Sequence, residues 1–169
     1  MILTHIDKHG HPKMVDVSDK PITRRKAIAV GYLTLCQECV EVLEAGCSPK
    51  GDLWATTHIG AIQGAKRAWE LIPLAHPLCL DSIQVEHFWE GTKRLAWIKV
   101  ETSAYSRTGV EMEAIAGVNA GLLVLYDMLK AVSNNMSIGS VRLLFKTGGR
   151  KGRVVQDWEG CPWINLDSK

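Results

Sequence analysis

Residues 109–130 place the strongest constraint on what this chain can fold into. The segment carries no charge from Ala114 to Tyr126, whereas Glu113, Asp127 and Lys130 are crowded at its two ends. A buried charge is costly unless it is paired, hydrogen-bonded or used in a reaction. The segment therefore predicts a core helix whose ends belong to a functional site.

The spacing of the two carboxylates predicts how such a site is assembled. Glu113 and Asp127 are 14 residues apart, which is close to four turns and places them on one face, roughly 21 Å apart. They cannot both touch one reacting atom, so we expect this helix to lie beside its copy in a second subunit, with the site shared across a symmetric dimer. The alternative is that these charges merely cap a core helix, and spacing alone leaves both open.

Composition favours a single domain without a polyanionic or lipid partner. The 169 residues are 46% hydrophobic, enough for one ordinary core. A net charge of +2, from 20 basic and 18 acidic residues, is too balanced to favour nucleic acid or anionic lipid. The uncharged part of the central helix is shorter than the ~20 residues of a membrane span. With no recognisable secretory signal at the start, these features predict a cytoplasmic protein with no membrane anchor.

The cysteine content argues against a disulfide framework. Five cysteines are an odd number, so reduced thiols are expected. Cys36 and Cys39 form one Cys-x-x-Cys pair that could be drawn as a zinc site with Cys47 or His76. A single pair without a second matched pair is weak support for zinc.

Hydrophobic periodicity predicts an α+β chain. Val15–Val17 and residues 27–35 are typical of strands, residues 37–45 of a short helix, and Asp52 of the cap of a helix that reaches about Trp69. Residues 83–88 and 95–101 predict a hairpin around 90–93, followed by the central helix to about Val132 and a last strand at 141–146. This order is typical of the split βαβ arrangement, an antiparallel sheet with helices on one face. We expect a single catalytic domain at 1–153 and a tail at 154–169, which could dock on the body or on a partner.

Six sequence blocks, read together, resemble one enzyme family. Among them are Trp-Glu-Leu-Ile-Pro and Thr-Gly-Val-Glu-Met-Glu, which are far more specific than a lone glycine motif; the blocks lie at 13–18, 49–52, 65–77, 107–114, 126–132 and 141–149. The chain resembles the cyclic pyranopterin monophosphate synthase family, the C protein of molybdenum cofactor biosynthesis, over about residues 4–153.

The resemblance implies a ferredoxin-like α+β fold and a homohexamer, a trimer of dimers with the active sites at the dimer interface. The implied substrate is a cyclised dihydroguanosine triphosphate, and the products are cyclic pyranopterin monophosphate and pyrophosphate, in a lyase-type rearrangement. No resident cofactor or metal is implied. Whether Mg²⁺ accompanies the triphosphate is left open by the sequence.

The resemblance also assigns roles to individual residues. It implies Asp127 as the active-site residue, Lys50 and Lys130 as proton-transfer groups, and substrate-binding positions at Leu74, Ala75, His76, Met112 and Glu113. Arg25, Lys66 and Lys146 stand with those two lysines on loops, strand ends and helix ends, where cations could converge on a triphosphate. A lysine base at pH 7 needs its pKa lowered by about three units, which a cluster of lysines would favour. Glu113 could accept hydrogen bonds from N–H donors of a guanine-type ring.

Two departures and two rival functions complete the interpretation. The family usually has Cys where this chain has Ala75, so that thiol cannot be essential here. Arg150-Lys151 stands where the family more often has a lysine followed by a small residue. An RNA-binding module would need aromatic platforms on central strands, and only two Phe occur. A scaffold subunit would have little use for charged helix ends.

Overall fold

A computed structural model describes residues 6–45, 48, 50–149 and 152–163. The strands are β1 (Thr23–Thr34), β2 (Ser82–Glu90), β3 (Leu95–Ser106), β4 (Ser137–Ile138), β5 (Arg142–Thr147) and β6 (Val154–Val155). The helices are α1 (Gln37–Ala45), α2 (Leu53–Lys66), α3 (Ala68–Leu71) and α4 (Glu111–Leu129).

The sheet confirms the predicted fold class. Its strand order is β2-β3-β1-β5-β6, with β4 paired to β1, and all pairs are antiparallel. The four long strands therefore have the order β2-β3-β1-β5, which is the order that two split βαβ units give in ferredoxin-like folds. The helices cover one face, because the residues of β1 that were expected on one side pack under them: Ala27, Ala29 and Leu33 are fully buried there.

The central helix α4 lies between the sheet and α2. By length and composition alone it could cross a membrane, but 56% of its apolar window is buried inside the protein, as for a core helix. Close helix contact depends on small residues, since a Cβ on Gly64 would lie 2.2 Å from the Cβ of Ala120. A Cβ on Gly60 would likewise lie 2.5 Å from a side-chain methyl carbon of Val124. These contacts show that α2 runs antiparallel to α4.

Several predicted boundaries are wrong. Val15–Val17 is not a strand. The helix expected to reach Trp69 ends at Lys66, where Arg67 leaves helical geometry (φ −108°, ψ 15°) before the single turn of α3. Helix α4 ends at Leu129 instead of Val132. Asp52 does cap α2, since its Oδ1 accepts hydrogen bonds of 2.9 Å from the backbone N–H groups of Trp54 and Ala55.

The C-terminal segment covers the other face of the sheet. Strand β6 pairs with β5, and Trp158 packs on Trp97 and Tyr32 with ring centroids 5.2 and 6.0 Å apart. Trp97 is only 2% exposed, so the C-terminal segment covers this aromatic side chain of the central strands. Within the described residues the tail thus docks on the body; the domain division at residue 153 stays a prediction.

Candidate active site

A cavity of about 600 Å³ lies at the start of α4. It is enclosed by the segment that follows α3, by the loop that precedes α4, and by part of the N-terminal segment. The five residues that the resemblance assigned to substrate binding all line it: Leu74, Ala75, His76, Met112 and Glu113. Side chains from distant parts of the sequence therefore meet in one cleft of ligand size.

Glu113 places a buried carboxylate oxygen without a hydrogen-bond partner in the wall of this cavity. Its side chain is 5% exposed, and Oε2 has no hydrogen-bond partner in the described part of the chain. Desolvation raises the pKa of Glu113 to about 6, with a smaller contribution from the nearby Glu111 carboxylate. A buried oxygen of this kind needs N–H donors from a ligand, and its proton is exchangeable near neutral pH.

Glu111 also lines the cavity and was missed by the sequence analysis. Its Oε1 lies 2.7 Å from Nζ of Lys146, which β5 presents on the helix-covered face. The signal was present in the sequence, because Glu111 and Glu113 share one motif block, but only the second carboxylate was selected. The predicted cation Lys146 is thus placed at the edge of the cavity, paired with an acid.

Arg25 lies deeper than expected for a phosphate ligand. It is 7% exposed, and its guanidinium donates to the carbonyl oxygens of Ser106 (3.2 Å) and Arg107 (3.3 Å). It also lies against Gly149, where a Cβ would come within 2.0 Å of Nη1. Because Gly149 has φ +73°, a conformation that favours glycine, the turn after β5 can approach this guanidinium closely. In the free chain Arg25 therefore holds the end of β3 against the end of β5.

The N-terminal segment forms a wall of the cavity. Val15, Val17 and Lys20 line it, although none of them was proposed as a site residue. Nε of Arg107 donates a hydrogen bond of 3.3 Å to the carbonyl of Lys20 and so ties the segment to the end of β3. The alternating Val-Asp-Val pattern that suggested a strand serves instead to turn two apolar side chains inward.

A second group of predicted residues meets at the other end of α4. Nζ of Lys50 lies 2.7 Å from the backbone oxygen of Asp127 and 3.2 Å from its Oδ2, and Nζ of Lys130 lies 2.6 Å from Oδ1. We call Lys50, Asp127 and Lys130 the lysine–aspartate cluster. Its side chains are between one third and just over one half exposed, so these ion pairs contribute little to stability.

The electrostatics of this cluster differ from the sequence-based expectation. We expected a crowd of lysines to lower a lysine pKa. Instead, hydrogen bonding to Asp127 raises the pKa of Lys130, and the two lysines, Lys130 first, lower the pKa of the Asp127 carboxyl. Within one chain the ion pair of Lys130 and Asp127 is thus held in its charged form.

The cavity and the cluster are separate in the single chain. Lys50 precedes α2 and reaches the end of α4, whereas Lys66 is exposed at the end of α2, next to Ala65, which lies near Gly117 of α4. The helix rise sets the two ends roughly 20 Å apart. One chain thus carries the cavity and the lysine–aspartate cluster at opposite ends of α4.

The zinc alternative finds no support in the described residues. No group of three or more His, Cys, Asp or Glu side chains there could hold a metal ion. Cys36 lines a different cavity from His76. Cys47 and the Arg150-Lys151 pair lie outside the described residues.

Comparison with known proteins gives one consistent family. A sequence model of the MoaC family matches residues 14–149. A cyclic pyranopterin monophosphate synthase of Campylobacter jejuni is 43% identical over 157 residues, covering 92% of this chain and 99% of the relative. One of a Roseiflexus species is also 43% identical, over 155 residues that cover 92% and 98% of the two chains.

Proposed function

The chain belongs to the MoaC family, and from this membership we propose that it is a cyclic pyranopterin monophosphate synthase. It converts (8S)-3',8-cyclo-7,8-dihydroguanosine 5'-triphosphate to cyclic pyranopterin monophosphate and pyrophosphate, as a lyase of molybdenum cofactor biosynthesis. The observation that carries this proposal is the 43% identity to synthases over nearly their full length. The cavity at the start of α4 supports it, because the residues expected to bind substrate line one cleft.

The cavity and the lysine–aspartate cluster, as two halves of one site, suit two parts of this substrate. In the proposal the cavity holds the ring system, with Glu113 accepting hydrogen bonds from ring N–H donors and His76 at its wall. Lys66, Lys146 and Arg25 lie around the same end of the fold and attract the triphosphate. Closing the cyclic phosphate breaks the bond between the α and β phosphates and releases pyrophosphate.

Proton transfer belongs to the lysine–aspartate cluster. Rearranging the ring requires an acid and a base near the reacting atoms. Asp127 raises the pKa of Lys130 and so keeps its amine protonated, although the same shift makes it a weaker acid. In the proposal Lys130 is the proton donor and the Asp127 carboxylate holds its ammonium group in place. Lys50, which contacts the same carboxylate, is the candidate for the complementary proton transfer.

The complete site forms between two subunits. Since one chain holds its cavity and its lysine–aspartate cluster at opposite ends of α4, a partner must supply the missing half. A symmetric dimer provides two such sites, and a homohexamer built as a trimer of dimers provides six. We propose this assembly, located in the cytoplasm, where the free thiols of Cys36, Cys39, Cys79 and Cys161 stay reduced.

The reaction of purified protein with the cyclised triphosphate tests this function. We expect release of pyrophosphate together with the tricyclic pterin product. Asp127→Asn and Lys50→Ala should stay folded and lose on the order of 10²-fold or more in kcat, the typical contribution of a general acid or base. Lys8→Ala, an exposed lysine far along the chain from both groups, serves as the matched control. Full activity in either site variant would remove that residue from the mechanism.

Metal dependence is a separate expectation. We propose that the chain needs no resident cofactor and that Mg²⁺ acts only by neutralising the triphosphate. After chelation with EDTA, KM should rise, whereas the rate at a saturating substrate concentration should stay close to the rate with Mg²⁺. Loss of kcat that excess substrate does not restore would point to a metal held by the protein.

A further inference from the structure

Strand β5 contains an irregularity shortly before Lys146, which contacts the cavity residue Glu111. Leu143 pairs with Ala29 of β1 and Phe145 pairs with Ile28, so Leu144 has no partner in β1. Two residues of β5 thus oppose one residue of β1, which defines a β-bulge. Bulges re-aim the side chains that follow them.

The bulge decides which face of the sheet Lys146 occupies. Beyond it, Lys146 pairs with Ala27, whose side chain is in the core under the helices, and its Nζ reaches Glu111 of α4. With regular pairing Lys146 would instead face Lys26 across the strands, because a slip of one residue turns every side chain to the other face. Two lysines would then lie side by side on the face away from the cavity, an unfavourable pair.

The C-terminal segment holds the bulged residue. The backbone N–H of Gln156 donates a hydrogen bond of 2.7 Å to the carbonyl of Leu144, the residue that β1 leaves unpaired. The Leu144 side chain is 3% exposed and packs with Cys161 and Trp97.

The neighbours of the bulge are held from the same side. Strand β6 pairs Val154 with Lys146 and Val155 with Phe145. The guanidinium of Arg142 lies 4.5 Å from the ring centroid of Trp158. The family match ends at residue 149, so these contacts come from a part of the chain beyond it.

We propose that residues 154–163 act as a clamp that fixes the bulge at Leu144 and thereby keeps the Lys146 amine on the substrate side of the sheet. The segment touches the bulge in two ways: the backbone hydrogen bond lies along the edge of β5 that faces away from β1, and the side-chain packing lies on the sheet face opposite the helices. It is therefore a positioning element, which acts on substrate only through Lys146. The substrate part of this inference rests on the proposed function.

Gln156 offers a matched pair of variants. Gln156→Pro removes the N–H that binds the Leu144 carbonyl, whereas Gln156→Ala keeps it. Lys146→Ala should raise KM for the triphosphate about tenfold or more, the effect of losing a hydrogen bond to a charged group. Gln156→Pro should raise KM several-fold with a smaller change in kcat, and Gln156→Ala should match the wild type.

A double variant separates positioning from general damage. If the clamp acts through Lys146, Gln156→Pro should have almost no further effect on KM in the Lys146→Ala background. Independent effects that multiply, or an unchanged KM in Gln156→Pro alone, would overturn the proposal. Should Gln156→Pro fail to fold, Trp158→Ala replaces it in the same cycle, because it loosens the clamp without changing the backbone.

A measurement without substrate keeps the inference distinct from the proposed function. The coupling between Lys146 and Glu111, measured by urea unfolding of the two single alanine variants and the double variant, should be present with Gln156→Ala and lost with Gln156→Pro. If the wild-type protein is inactive, the proposed function is refuted, but the coupling between Lys146 and Glu111 still tests the clamp. Equal coupling in both backgrounds would refute the clamp even if the enzyme is active.

Discussion

At the scale of single residues, burial sets the chemistry of the cavity. Glu113 and Glu111 are two residues apart in the first turn of α4, yet Glu111 is paired with Lys146 while Glu113 keeps an unpaired oxygen. Carboxylates near a helix start are ordinarily favourable because of the helix dipole. Desolvation outweighs that benefit for Glu113 and raises its pKa.

Glu113→Gln should therefore change stability in a pH-dependent way. The pKa of about 6 in the folded protein exceeds the ordinary glutamate value of 4.5, so the native protein binds this proton more tightly and loses stability as pH rises from 4.5 through 6. The cost at pH 8 is about 2 kcal/mol for a shift of this size. We expect Glu113→Gln to be more stable than the wild type by up to that amount at pH 8 and not at pH 4.5, in urea unfolding at equal protein concentration.

The exposed Glu41 supplies the control for this measurement. Glu41→Gln removes a carboxylate of the same type from the surface of α1, and it should leave the pH dependence of unfolding unchanged. If Glu113→Gln shows the same stability difference at both pH values, the carboxyl is not titrating in the buried site.

At the scale of elements, the contact between α2 and α4 sets the position of the lysine–aspartate cluster. Lys50 is carried just ahead of α2 and Asp127 near the end of α4, so their 3.2 Å contact depends on how closely the two helices approach. Gly64 permits this approach, because an added Cβ would also come within 3.0 Å of the backbone oxygen of Ala116.

Gly64→Ala sets the helix propensity of alanine against the close packing of α2 on α4. Alanine is favoured over glycine inside a helix by about 1 kcal/mol, but here the methyl group would lie 2.2 Å from the Cβ of Ala120. Overpacking of this kind costs about 1–3 kcal/mol, so we expect a net loss of stability and a lower kcat as the helices separate. Gln63→Ala on the exposed side of the same turn should not destabilise; thermal unfolding compares the two, and a more stable Gly64→Ala would contradict the packing argument.

At the scale of the whole molecule, the fold holds the cavity and the lysine–aspartate cluster apart. A helix of 19 residues separates the cavity at Glu113 from the cluster at Asp127. Because α4 is one unbroken helix, its two ends cannot meet within one chain. In the proposed function, a second copy of the chain brings the cluster of one subunit to the cavity of the other.

Mixed oligomers test whether the site is shared. Lys50→Ala lacks the cluster and Glu113→Ala lacks the cavity carboxylate, so a dimer with one chain of each type contains one intact site. After dissociation and reassembly at equal amounts, activity should recover to about one quarter of the wild-type value, since half of the dimers are mixed and each has one working site of two.

A second mixture is the negative control. Lys50 and Asp127 belong to the same half, so Lys50→Ala mixed with Asp127→Ala should recover nothing. Recovery in neither mixture, with reassembly shown by size, would contradict a shared site.

Local pattern explains how much of the fold could be predicted. Alternation in β1 and in the hairpin identified the buried face, and the Asp52 cap and the apolar run of α4 identified two helices, because these signals depend on neighbouring residues. The Leu144 bulge, the break at Arg67 and the strand β6 were not predicted. Each of them is decided by contacts with segments far away in the sequence.

The sequence by itself determined the α+β order of elements, the central helix with charged ends, and the motif blocks that identify the family. Only the tertiary structure decided that Val15 and Val17 wall a cavity, that Arg25 is buried against backbone carbonyls, and that Asp127 raises the pKa of Lys130. The physical reason is that periodicity and capping act over a few residues, whereas burial, side-chain direction and pKa depend on what the rest of the chain places beside a group.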